Sequence, residues 1–137
     1  MQYSQYDSNF GHYFRNLYRI IKFIDEYDFK FKDAVEDYNF KYKYTSIVRS
    51  QLSDYELYWI FYNGLCEYGS DKFKPLIEKY TILKVLIGFW IGETDQIIFP
   101  ELKEMPEFYK NSAFFRPQED EIEEHLKQFN YDKLLTH

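Results

Sequence analysis

The chain has 137 residues in one compositional regime, enough for a single domain that buries about two-thirds of its unfolded surface. Its net charge of −6 sits late: residues 1–50 carry 8 basic and 7 acidic side chains, residues 51–92 carry 4 and 5, and residues 93–137 carry 5 and 11. That balance excludes bulk DNA binding, which needs a basic surface to release counterions, and leaves room only for a local anion site in the first half.

Cysteine and hydropathy narrow the class further. Cys66 is alone, so no internal disulfide, Cys-pair zinc site or redox pair forms, and its expected place is a small buried apolar position. The longest apolar run, Val85 to Ile91, falls far short of the roughly 20 residues of a membrane helix, and no charged-then-apolar signal opens the chain. A cytoplasmic protein is expected. Fifteen Tyr and fourteen Phe predict an aromatic core with many tyrosine hydroxyls at its edge, each seeking a polar partner.

Residues 1–8 show no period and read as a lead-in, with Asp7 or Ser8 as N-cap of a first helix running to about Tyr27. At about 100° per residue, Phe10, Phe14, Leu17, Ile21 and Ile24 share its apolar face, with Tyr13 and Ile20 beside it. His12, Arg15 and Arg19 fall on the opposite face, which thus holds two of the four arginines in the chain. Residues 28–41 mix charge with aromatics and read as a connection with one helical turn near Ala34.

A second helix follows, with Tyr44, Ile47, Val48 and Leu52 as its apolar stripe and Thr45 and Arg49 on a different side. Ser53 and Glu56 have capping-box spacing and start a third helix, 54–65, apolar nearly all round and so the expected centre of the core. A fourth helix opens near Ser70 with Pro75 in its first turn and is expected to end at Gly88 or Gly92. Residues 93–116 read as irregular, with short helical pieces at 95–99 and 107–110. Acids after Pro117 sit at the positive end of a last helix, about 117–135, whose Ile122, Leu126 and Phe129 form a narrow stripe. The expectation is an all-α single domain over 1–137, a bundle of five or six helices.

Three blocks, GHYFRNLYRIIKFID (11–25), YTSIVRSQLSDYELYWIFYNGL (44–65) and KFKPLIEKYTIL (72–83), with NSAFF (111–115) as a weaker echo, resemble the AbiC-like phage abortive infection proteins. The resemblance covers about residues 10–115. It implies a bacterial antiviral role, in which an infected cell stops growth or phage production, and a phage or host protein as partner. Relatives carry hydrophobic segments before this domain; the first block here begins about ten residues from Met1, so no membrane attachment is expected of this chain alone.

His12, Arg15, Arg19, Arg49 and Glu56 form the candidate constellation. Arginine is a planar, permanently charged fork suited to a carboxylate or phosphate, and a histidine beside two arginines has its neutral form favoured, as a general base requires. In one reading the first helix and the Arg49 helix enclose a shallow anion site for an RNA phosphate or a nucleotide, with His12 as acid or base. In the other, Arg49 pairs with Glu56, and Arg15 and Arg19 pair with acids such as Asp25 or stack on tyrosines. Helical ribonuclease signatures place an arginine, a polar residue and then a histidine some four to six residues on; Arg15-Asn16 and Arg49-Ser50 start that pattern and no histidine completes it. His12, His125 and His137 lack metal-ligand spacing, and the scattered glycines make no phosphate loop, so no metal or cofactor is expected.

The functional expectation is a sensor or scaffold binding a phage or host component. The alternative is an effector that binds nucleotide or RNA at the arginines, with ribonuclease action as its extreme form. A homo-oligomer stays open.

Overall fold

A computed structural model describes residues 3–66, 70–86 and 105–135. Among these the chain is helical, with no strand. Helix α1 spans Tyr3–Glu26, α2 Ala34–Ser50, α3 Asp54–Asn63 and α4 Phe73–Lys79; single turns lie at Lys84–Leu86, Met105–Phe108, Asn111–Ala113 and Glu119–Glu121, and α5 spans Ile122–Leu135. The expected helical piece at 95–99, and Gly88 and Gly92, lie outside the described residues.

The first helix buries the face its spacing predicts: Phe14, Leu17 and Ile21 are 6, 5 and 1% exposed. It begins earlier than a cap at Asp7 or Ser8 implies, since both residues lie inside it. Its end is as expected within a residue, with the Tyr27 N–H on the Phe23 carbonyl at 3.0 Å.

The expectation for residues 28–41 is wrong in its second half. Asp33 caps α2, accepting the Val35 N–H at 3.1 Å, with Glu36 and Asp37 in the first turn. The helix therefore starts ten residues before Tyr44, the first residue of the expected stripe, and its buried face is Tyr38, Tyr42 and Thr45. Tyr44 and Ile47, read as core, stay 43 and 51% exposed. Aromatics stand on both sides of this helix, so apolarity alone did not single out the inner one. Thr45 enters the core at no polar cost because its hydroxyl donates to the Tyr42 carbonyl at 3.0 Å.

The Ser53 capping box forms as its spacing predicts. Gly64 ends α3 for reasons of space: a Cβ there would press on the Tyr109 hydroxyl and lie 2.8 Å from the Ile77 Cδ1. Helix α3 buries Leu57, Tyr58, Ile60 and Phe61, yet the hub of the fold is α4, which packs on α1, on the 111–113 turn and on α5.

Helix α4 stops at Lys79, well before the expected glycines. Thr81 adopts φ 56°, and the Ile82 N–H reaches back to the Ile77 carbonyl at 3.1 Å, which is the six-to-one bond of a Schellman ending. The chain then turns so that Ile82, Leu83 and Leu86 are all buried. The core is aromatic as expected, and its tyrosines find acceptors: Tyr38 on the Lys79 carbonyl at 2.9 Å, Tyr109 on the Phe61 carbonyl at 2.6 Å, and Tyr80 on Asp25 at 2.6 Å.

Candidate functional site

The five residues singled out by sequence separate into two groups. His12, Arg15 and Arg19 share the exposed face of α1, and the Arg15 Nη2 lies 3.5 Å from the His12 Nδ1. Arg49 and Glu56 are absorbed by the fold, on different errands.

Glu56 closes the capping box, its Oε1 accepting from the Ser53 hydroxyl at 3.0 Å, while its Oε2 accepts the Tyr13 hydroxyl from α1. The bond from Tyr13, with those from Ser53, holds the Glu56 carboxyl below its ordinary range despite the opposing effect of burial. This one carboxylate ties the start of α3 to α1. The expected Arg49–Glu56 pair is not made.

Arg49 instead donates from Nη1 to the Thr81 carbonyl at 3.0 Å, across 32 residues, and lies 5.9 Å from the centroid of the Tyr42 ring. Thr81 is a β-branched residue in the left-handed region, which costs about 1–2 kcal/mol, and its buried hydroxyl has no hydrogen-bond partner among the described residues. A guanidinium fixed on its carbonyl helps keep the chain in that turn. Arg116 lies 4.3 Å from the centroid of the same Tyr42 ring and donates to Asn39 Oδ1 at 2.7 Å. Two of the four arginines thus serve one tyrosine.

Asp25, named as a partner for Arg15 or Arg19, faces inward. Its Oδ1 accepts from the Lys79 ammonium at 2.5 Å and the Tyr80 hydroxyl at 2.6 Å. Burial would raise this carboxyl, but the Lys79 charge and the two hydrogen bonds outweigh it and hold the group below the ordinary aspartate value. Lys41 donates to the Asp25 backbone carbonyl at 2.7 Å and pairs with Asp37 at 2.8 Å. Together with Tyr38 these side chains line a cavity of about 180 Å³ where the end of α1, the start of α2 and the end of α4 meet. The same Lys79 presents its carbonyl to Tyr38 and to the Nε2 of His125, at 2.9 Å each. A carbonyl only accepts, so Nε2 carries the ring proton, and burial keeps His125 below its ordinary value and neutral.

Sequence reading missed this knot. The available signal was Glu78-Lys79, two adjacent charges inside the apolar run PLIEKYTIL; both are buried, and the Glu78 carboxylate accepts the Lys110 backbone N–H at 2.6 Å. Cys66, expected in the core, is exposed, its thiol donating to the Asn63 carbonyl at 2.9 Å. Among the described residues no three metal-ligating side chains are gathered, and no helix is long and apolar enough to cross a membrane.

Chemically, the knot has its charges paired inside the protein and positions helices, whereas His12, Arg15 and Arg19 lie at the exposed surface of α1. A family model described as "Putative phage abortive infection protein" matches residues 5–89, which takes in α1 from residue 5 on and all of α2, α3 and α4, and hence all five residues and the Asp25–Lys79 pair. No curated protein and no solved structure matches the chain.

Proposed function

The chain belongs to the phage abortive infection family, and from that premise we propose that it works as a sensor or scaffold, recognising a phage or host protein through the outer face of α1. The observation that carries this reading is the division of labour among the candidate residues. Arg49 and Glu56 are engaged by Thr81 and by Ser53 with Tyr13 inside the fold, whereas His12, Arg15 and Arg19 lie together on the exposed face of α1. An open row of guanidinium donors suits bidentate contact with carboxylates on a protein surface.

Arg15→Glu in the intact protein tests it. The side chain is exposed, so the melting temperature should hold while protection against phage falls; equal loss of both, or undiminished protection, overturns the reading. The effector alternative has one supporting observation, the guanidinium 3.5 Å from the His12 ring nitrogen. Its check is incubation of purified protein with total RNA. Metal-independent products that vanish in His12→Ala would favour it, and intact RNA at every salt concentration would remove it.

A further inference from the structure

The seam between α1 and α2 carries apolar surface that the described fold leaves uncovered. On α1, Ile20, Phe23 and Tyr27 recur at helical spacing and are 48, 65 and 48% exposed; facing them from the second segment, Phe31, Tyr44 and Ile47 are 39, 43 and 51% exposed. Ring contacts knit the two rows into one patch: Phe23 to Tyr27 at 5.5 Å, Tyr27 to Phe29 at 4.6 Å, Phe29 to Phe40 at 4.8 Å and Phe40 to Tyr44 at 4.9 Å between centroids. These six side chains expose on the order of 600 Å², the upper end of what a monomer leaves in one patch. With a rim, that approaches the roughly 800 Å² each partner contributes to a stable pair.

The rim indicates which partner fits. Beside the α1 row stand Arg19 near its start and Glu26 at its end, both exposed, and no hydrogen bond or ion pair joins either side chain to another described residue. A twofold axis perpendicular to α1 at Phe23 makes two α1 helices cross antiparallel. Residue 19 of one copy then lies level with residue 27 of the other, and Glu26 is displaced from that level by only about 1.5 Å of helical rise. Arg19 of each copy thus meets Glu26 of the other on the same edge, twice over, while Ile20 meets the Tyr27 end of the opposing row. A patch positive at one end and negative at the other complements itself under a twofold, the commonest symmetry of soluble oligomers.

We propose that this seam is the interface of a twofold dimer of the chain, built on α1 crossing α1 antiparallel over Phe23. The inference stands apart from the antiviral reading, because its test needs no phage. Sedimentation of the full chain from low to high micromolar concentration should show monomer passing to dimer. Phe23→Glu should weaken the dimer roughly thirtyfold or more with melting of the monomer unchanged, as its exposure implies, and Ile47→Lys, from the other row, should weaken it too. Arg19→Glu should weaken it about tenfold, and adding Glu26→Arg should restore it. A chain that stays monomeric throughout, a dimer indifferent to Phe23→Glu and Ile47→Lys, or a charge swap that restores nothing overturns the proposal.

Discussion

The outer face of α1 and the Asp25–Lys79 knot put the same kinds of charged groups to opposite uses. At the knot, the Lys79 ammonium and the Tyr80 phenol lie 2.5 and 2.6 Å from the Asp25 carboxylate, with the two ion-pair side chains 13 and 7% exposed, so each of the two charges depends on the other. On α1, His12, Arg15 and Arg19 lie exposed, where solvent screens a charge and removing it costs the fold little. The charges of the knot are thus structural and hardly visible in sequence, and Arg49 and Glu56, conspicuous in sequence, hold the fold as well.

Deleting one partner at the knot should have the largest effect. Lys79→Ala leaves a buried carboxylate uncompensated and should cost about 3–5 kcal/mol in chemical denaturation, with part of the loss recovered when Asp25→Asn is added. No recovery in the double variant would mean that Lys79 acts through packing alone. Arg49→Ala comes next. It removes the bond to the Thr81 carbonyl and the Tyr42 contact, and should cost about 1–3 kcal/mol, with Arg49→Lys intermediate because an ammonium keeps the charge without the planar fork.

Acid sharpens the same contrast. His125 is held below the ordinary value of 6.5, first by burial and then by the Lys79 and Lys110 charges, so the unfolded chain binds more protons than the fold once pH drops below about 6.5. Stability should then decline with falling pH. His125→Gln should flatten that part of the curve. A second decline belongs to Asp25 and Glu56, whose depressed carboxyls contribute stability that is present above their unfolded values and lost as pH falls through the folded ones, below about 4. The smallest effect is expected outside the knot: Arg15→Ala should stay within about 0.5 kcal/mol of the parent at any of these pH values.

Much of this architecture is legible in the sequence where the determinants are local. Ser53 and Glu56 are three residues apart and announce their box; Phe14, Leu17 and Ile21 announce their face by period. The inner face of α2 was misjudged because Tyr38 and Tyr42 compete with Tyr44 and Ile47 in a chain rich in rings on every side, and tyrosine hydroxyls become acceptable inside only once acceptors such as the Lys79 carbonyl are in place. Asp25 and Lys79 are 54 residues apart, and nothing near either one names the other. Arg49, read as an anion-site residue or a partner of Glu56, bonds instead to a backbone carbonyl, which no pattern of side chains reveals.

Thr81 carries this further, into how the chain reaches its final shape. Nothing local halts α4 at Lys79: YTILKVL contains neither glycine nor proline, and every residue in it tolerates a helix. Left to itself the segment should wind on past Tyr80. The stop draws on long-range partners, the Arg49 guanidinium on the Thr81 carbonyl and the Ala113 carbonyl accepting the Leu83 N–H, so the reversal at Thr81 is expected only in the assembled fold. An isolated peptide of residues 70–86 in helix-promoting solvent should accordingly carry helix beyond Lys79, seen as αR chemical shifts at Thr81, where the folded protein holds the opposite hand.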